Sequence, residues 1–128
     1  MSGAGEAMLA AAAAALGKVA GIGRVYDAPP LQSAIPYALV EVDSEADWSH
    51  KSGDGREVRL AASLFDKGER PLRLRARTGE AERALAALGG EMDGWQIVSM
   101  QFLRTRIVRD AKGGWAAIAE FRARLLAG

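Results

Sequence analysis

Two hydrophobic periods alternate along this chain, and the points where one gives way to the other divide it into elements. Between residues 5 and 19, Met8, Leu9, Ala12, Leu16 and Val19 recur at helical spacing in an alanine-rich background. Alanine has the highest helix propensity, and apolar residues three or four apart share a face, so a first helix is predicted there, ended by Gly21 and Gly23. Residues 37–43 and 56–66 predict the first two strands, the second with Val58, Leu60, Ala62 and Leu64 alternating against Arg59, Ala61 and Ser63. The polar, glycine-punctuated stretch 49–55 between them makes a long hairpin with an exposed, mobile tip. Residues 71–88 predict a second helix. Pro71 suits its first turn, Leu72, Ala76, Ala84, Leu85 and Leu88 keep its period, and Gly89-Gly90 end it. Gly79 weakens the middle, so a break near Thr78-Gly79 is the alternative.

Residues 95–109 and 115–126 predict two more strands. In the last one Trp115, Ala117, Ala119, Phe121, Ala123 and Leu125 share a face, and Ile118, Glu120, Arg122 and Arg124 share the other. The strand before it starts with Val98, Met100 and Phe102 in phase and then shifts to Leu103, Thr105 and Ile107, which predicts a bulge or bend. The order α-β-β-α-β-β implies an α+β fold, a two-layer sandwich with a mainly antiparallel four-stranded sheet and both helices on one face. Residues 1–128 form a single domain, with no repeat beyond the two α-β-β halves. The connector 24–37 is stiff. Pro29-Pro30 belongs to neither a helix interior nor a central strand, and Pro36 stands where the first strand begins. It reads as an extended crossing from helix to sheet, with Tyr26 and Tyr37 anchoring it.

Composition narrows the chemistry. The 128 residues suffice for a real core, and the formal net charge of +1 gives no global field toward nucleic acid or an anionic membrane. With no cysteine and one histidine, disulfides, thiol chemistry and cysteine-based metal sites are excluded. The alanine run near the start lacks the preceding positive charge of a signal peptide and reads as a structural helix. No stretch reaches the roughly 18 uncharged apolar residues of a membrane span.

Catalysis finds little support. His50 lies in the predicted hairpin tip with Asp47, Ser49 and Asp54, all on one segment without rigid mutual geometry, so it reads as a solvated side chain. The acids 43–54 do not follow the calcium-loop spacing, and the Gly53/Gly55 pair is not followed by the lysine and helix of a phosphate loop. No cofactor or metal is expected. Arginines are the more informative residues. Arg104, Arg106, Arg109 and Lys112 cluster on the third predicted strand and its turn, Arg122 and Arg124 on the fourth, and Arg70, Arg73, Arg75 and Arg77 around the start of the second helix. They read either as a solvated face balanced by acids or as a subunit interface. A nucleic-acid interface ranks third, since no aromatic residues interleave with them. Trp48, among Asp47, Ser49 and His50, is either tucked over the sheet edge or an interface anchor. Trp115 and Phe121 are expected in the core.

Taken in order, these pieces resemble the small phage tail terminator (tail completion) proteins, in the branch found in gene transfer agents and siphophage-like elements of alphaproteobacteria, formerly a family of unknown function. The resemblance spans essentially the whole chain. It is carried by the alanine-rich helix, Arg24-Val25-Tyr26-Asp27-Ala28-Pro29-Pro30, Ile35-Pro36-Tyr37, Asp47-Trp48-Ser49 with Lys51 and Asp54-Gly55, Leu64-Phe65, Arg104, Arg109-Asp110, Gly114-Trp115 and Phe121-Arg122. The arginine-rich stretch 70–77 and Gly79 depart from the pattern. The resemblance implies a structural, non-enzymatic role. Such a protein forms a ring, usually hexameric, on the head-proximal end of the tail tube, stops polymerisation of the major tail protein, and offers a surface to the head-closure or connector protein. DNA is then only a passenger through the lumen. The protein would be cytoplasmic during assembly and then part of the particle. Another neck component, such as a head–tail connector or head-closure protein, is the alternative. Candidate interface residues are Trp48, His50, Lys51, Asp54, Arg104, Arg106, Arg109, Arg122 and Arg124.

Overall fold

The computed structural model describes residues 3–111 and 113–128. Lys112, grouped above with the strand arginines, lies outside the described residues. The elements are α1 (Ala4–Gly17), β1 (Arg24–Tyr26), β2 (Tyr37–Asp47), β3 (Gly55–Asp66), α2 (Leu72–Ala86), β4 (Gly90–Met92), β5 (Trp95–Arg109) and β6 (Trp115–Ala127). The fold is α+β, as expected, but the sheet has six strands rather than four, in the order β1-β2-β3-β6-β5-β4, and it curls into a half barrel. All its pairings are antiparallel except β1 with β2.

The two additional strands have three residues each, too few to display a period of two. β1 lies inside the connector. The chain returns through 27–36, with a cis Ile35-Pro36 bond, and lays 37–39 parallel to Arg24–Tyr26. The connector thus carries an edge strand and is more than a crossing. β4 begins at the second of the glycines that follow α2, and the chain turns back at Asp93 (φ 47°) and Gly94 (φ 83°) onto 95–97. An Asp-Gly pair between extended residues is the signature of a tight hairpin turn, and it marks this strand in the sequence.

The core lies between the helices and one sheet face. Met8, Ala12 and Leu16 of α1 and Leu74, Ala81 and Leu85 of α2 pack against Ala38, Val40, Val58, Leu60, Leu64, Phe121 and Leu125. α2 runs unbroken through Gly79. Buried Thr78 returns its hydroxyl to the Leu74 carbonyl at 2.7 Å, which satisfies it inside the helix. The predicted irregularity in β5 is present as two register shifts against β6, at Ile97/Ser99 and Phe102/Arg104. The second carries the strand from the Phe102 phase into the Thr105–Ile107 phase. The first puts Val98 out of phase with Met100, so Val98 is exposed. β2 continues to Asp47, past the predicted end, because a bulge at Val42/Ser44 breaks its alternation and its distal half leaves the core.

Candidate interaction surfaces

On the helix-free face the register places residues in rows across β2, β3, β6 and β5. Glu57 faces Arg124 and then Ser99; Arg59 faces Arg122 and then Gln101; Ala61 faces Glu120 and then Arg104. Period-2 alternation brings every second side chain here, and pairing brings unlike charges together. Glu120 Oε2 accepts from Arg104 Nε at 2.5 Å and lies 3.8 Å from Arg106 Nε. Glu57 sits between Arg124 (3.6 Å) and Arg122 (3.9 Å), and Arg122 donates to Gln101 Oε1. Two carboxylates therefore hold four arginines. Arg104 and Arg106 stay about half exposed at 62% and 49%, while Arg122 and Arg124 are more covered.

The β2–β3 hairpin joins this network at one end. The Arg124 guanidinium lies 5.5 Å from the centre of the Trp48 ring, and His50 meets the same ring edge-on at 4.6 Å. Trp48 is half buried and lies against Arg124 of β6, so within the chain its ring is folded back onto the sheet. The tip is exposed yet tied down. His50 and Gly53 exchange backbone hydrogen bonds, Ser49 Oγ donates to Asp47 and accepts from the Gly55 amide, and Ala127 donates to the Asp54 carbonyl. These bonds make a defined turn of what reads in sequence as a loose loop. Glycine is required at 55, where a Cβ would stand 2.3 Å from the Trp48 carbonyl oxygen.

Arg109 does not join this group. It stacks over Trp115, 4.6 Å from the ring centre, at the opposite end of β6, roughly 30 Å away at ~3.3 Å per residue. Trp115 is half buried rather than fully in the core, and its indole N–H donates to the Gly68 carbonyl at 2.9 Å. Two of the helix arginines are internal braces. Arg73 grips the buried Asp66 carboxylate with two hydrogen bonds of 2.7 and 2.5 Å, and the Arg77 guanidinium lies over Gly21. The Arg73 bonds, together with the Lys67 amide, hold the Asp66 carboxyl below its usual range despite burial. The connector end also has a cleft of about 300 Å³ between Pro30, residues 32–35, Tyr37, Phe65, Asp66, Asp110 and Gly114. Tyr37 stacks on Phe65 at 4.7 Å and meets Tyr26 edge-on, and the Tyr26 hydroxyl pairs with Ser33 Oγ at 2.8 Å, so both tyrosines anchor the connector. Burial, and then the nearby Asp110 carboxylate, push the Tyr37 phenol up.

Charged and aromatic groups are thus spread over open sheet surface and a hairpin tip rather than gathered around a reaction centre. The chain belongs to the Tail completion protein gp17 family, whose sequence profile matches residues 6–126. This is a family of tail completion proteins, not of enzymes. The fold is similar to that of a chain in the structure described as "Virion of native gene transfer agent (GTA) particle", with 24% identity and a TM-score of 0.68 over 97% of this chain and 95% of that one. No individually curated protein shows significant sequence similarity to it.

Proposed function

We propose that this tail completion protein caps the head-proximal end of a phage-like tail tube as a closed, hexameric ring, halts polymerisation of the major tail protein, and presents the surface on which the head-closure protein docks. The observation that carries the reading is the family match over residues 6–126, supported by a likeness to a chain of a gene transfer agent particle that extends over 97% of this one. The protein is then assembled in the cytoplasm and ends in the neck of the particle, with DNA passing through the lumen.

The exposed hairpin tip, with His50, Lys51 and Asp54 around Trp48, is the element assigned to the tail tube. Its hydrogen-bonded turn needs no core contact to keep its shape, so it can reach outward from the sheet. Gly55 belongs to the β3–β6 ladder, so the informative deletion is 50–53. That deletion should leave the thermal transition in place and abolish capping of purified tail tubes. Capping by the shortened protein would remove the hairpin from the docking surface. The overall role is tested by electron microscopy of particles made without this chain. Overlong tails are expected, whereas tails of normal length lacking heads would assign it to the connector side of the neck.

A further inference from the structure

The sheet has two long bare edges. Among the described residues β1 pairs with β2 only at 37–39 and β4 with β5 only at 95–97, so no strand pairs with the outer side of 40–47 or of 98–109. A bare edge offers a row of unpaired N–H and C=O groups to another chain, and charges commonly guard it. Here the two strands' own charges are segregated by sign, with Glu45 lying against Gly5 of α1 and Glu82 of α2 accepting from Thr105 of β5. β2 carries Glu41, Asp43, Glu45 and Asp47 and no basic residue; β5 carries Arg104, Arg106 and Arg109 and no acidic one. Glu41 and Asp43 are exposed and make no salt bridge among the described residues, and Arg104 and Arg106 share the single carboxylate of Glu120.

We propose that copies of this chain associate edge to edge, the acidic edge of β2 on one subunit pairing with the arginine edge of β5 on the next. The proposal rests on the ring reading above and says how the ring closes. Like edges repel, so two β2 edges or two β5 edges do not join, while unlike edges attract. That selects the head-to-tail contact a cyclic ring requires. Three successive antiparallel pairings make β2 and β5 run in opposite senses, so neighbours around a ring meet as an antiparallel ladder. The bulges at Val42/Ser44 and Phe102/Arg104 limit the ladder to short runs, which leaves the choice of partner to the charges.

The test is a charge exchange in cells lacking the native gene, read by electron microscopy of tail lengths. Glu41→Lys/Asp43→Lys alone cancels the acidity of the β2 edge, setting two lysines beside Glu45 and Asp47 and against the neighbour's arginines, and should produce overlong tails. Arg104→Glu/Arg106→Glu alone gives two acidic edges and should do the same. Expressed together, the two variants can alternate around a ring of even number, and normal tail length should return. Circular dichroism melting of each purified variant checks its fold. If the arginine reversal unfolds the chain against Glu120, Arg104→Gln/Arg106→Gln replaces it and should still rescue partially when mixed. Normal tails with either reversal alone, or overlong tails with the folded mixture, would overturn the edge pairing. Normal tails in the absence of any copy would instead overturn the capping role, so the two failures are distinguishable.

Discussion

The two faces of the sheet are built on different physics. The helix-covered face is almost purely apolar, with Met8, Ala12, Leu16, Leu60, Phe121 and Leu125 fully buried between layers. Its stability is non-directional and grows with area removed from water. The helix-free face is held by shared charges: Glu57 and Glu120 each bridge two arginines. Exposed ion pairs add little to stability. They match unlike charges across the curved, helix-free surface. Folding is therefore carried by one face, while the ion pairs of the other add little to it.

The comparison can be broken most forcefully on the helix side. Phe121→Ala should cost ~3–5 kcal/mol, because it empties the centre of the core between β6 and the helices. Urea unfolding followed by tryptophan fluorescence reads this directly. A loss below 1 kcal/mol would mean the core is far more forgiving than its packing indicates.

Next in size is the ion pair between the buried Asp66 carboxylate and the exposed Arg73, which ties the β3 end to α2. Asp66→Asn removes a carboxylate that accepts two bonds from Arg73, and should cost about 2 kcal/mol at neutral pH. The pH dependence has a definite sign. The folded-state carboxyl is held below its ordinary value, so its contribution is complete above the unfolded aspartate range near ~4 and is lost as pH falls through the folded value. The stability gap between wild type and Asp66→Asn should thus be flat above about pH 5 and close in acid. A gap that widens in acid would contradict the assigned cause.

The smaller effects sharpen the contrast. Gly79→Ala should stabilise α2 by roughly 0.5–1 kcal/mol, since a Cβ there meets only the Arg83 guanidinium at 3.6 Å, an ordinary contact. Thermal melting checks it, and a lowered transition would point to a role for the glycine in binding. Glu120→Gln, on the helix-free face, should change stability by no more than ~1 kcal/mol although it disturbs two arginines. A loss comparable to that of Phe121→Ala would erase the distinction between the faces.

Much of the helix-covered face is legible in the sequence, because apolar period is what specifies it. The alternation through Trp115–Leu125 and Val58–Leu64 names the two central strands, and the phase shift after Phe102 marks a real bulge. The missed elements are those that do not depend on burial. β1 and β4 are too short for a period, and the distal half of β2 has left the core. The candidate contact residues are only partly legible. Arginine composition flags the surface, but their grouping depends on strand register. Register separates Arg109 from Arg124, folds Trp48 onto Arg124, and turns Arg73 and Arg77 into internal braces. The Asp93-Gly94 turn is the one overlooked local signal strong enough to have revealed β4.

The central claim is that this chain ends tail growth by closing a ring on the tube. It is tested most directly by adding the purified protein to major tail protein that is elongating on tail tips, and measuring tube length and end structure by electron microscopy. The account predicts that elongation stops at a stoichiometry of one ring per tube, with added density at one end only. Continued elongation at saturating protein, or protein bound along the sides of the tube, would contradict it.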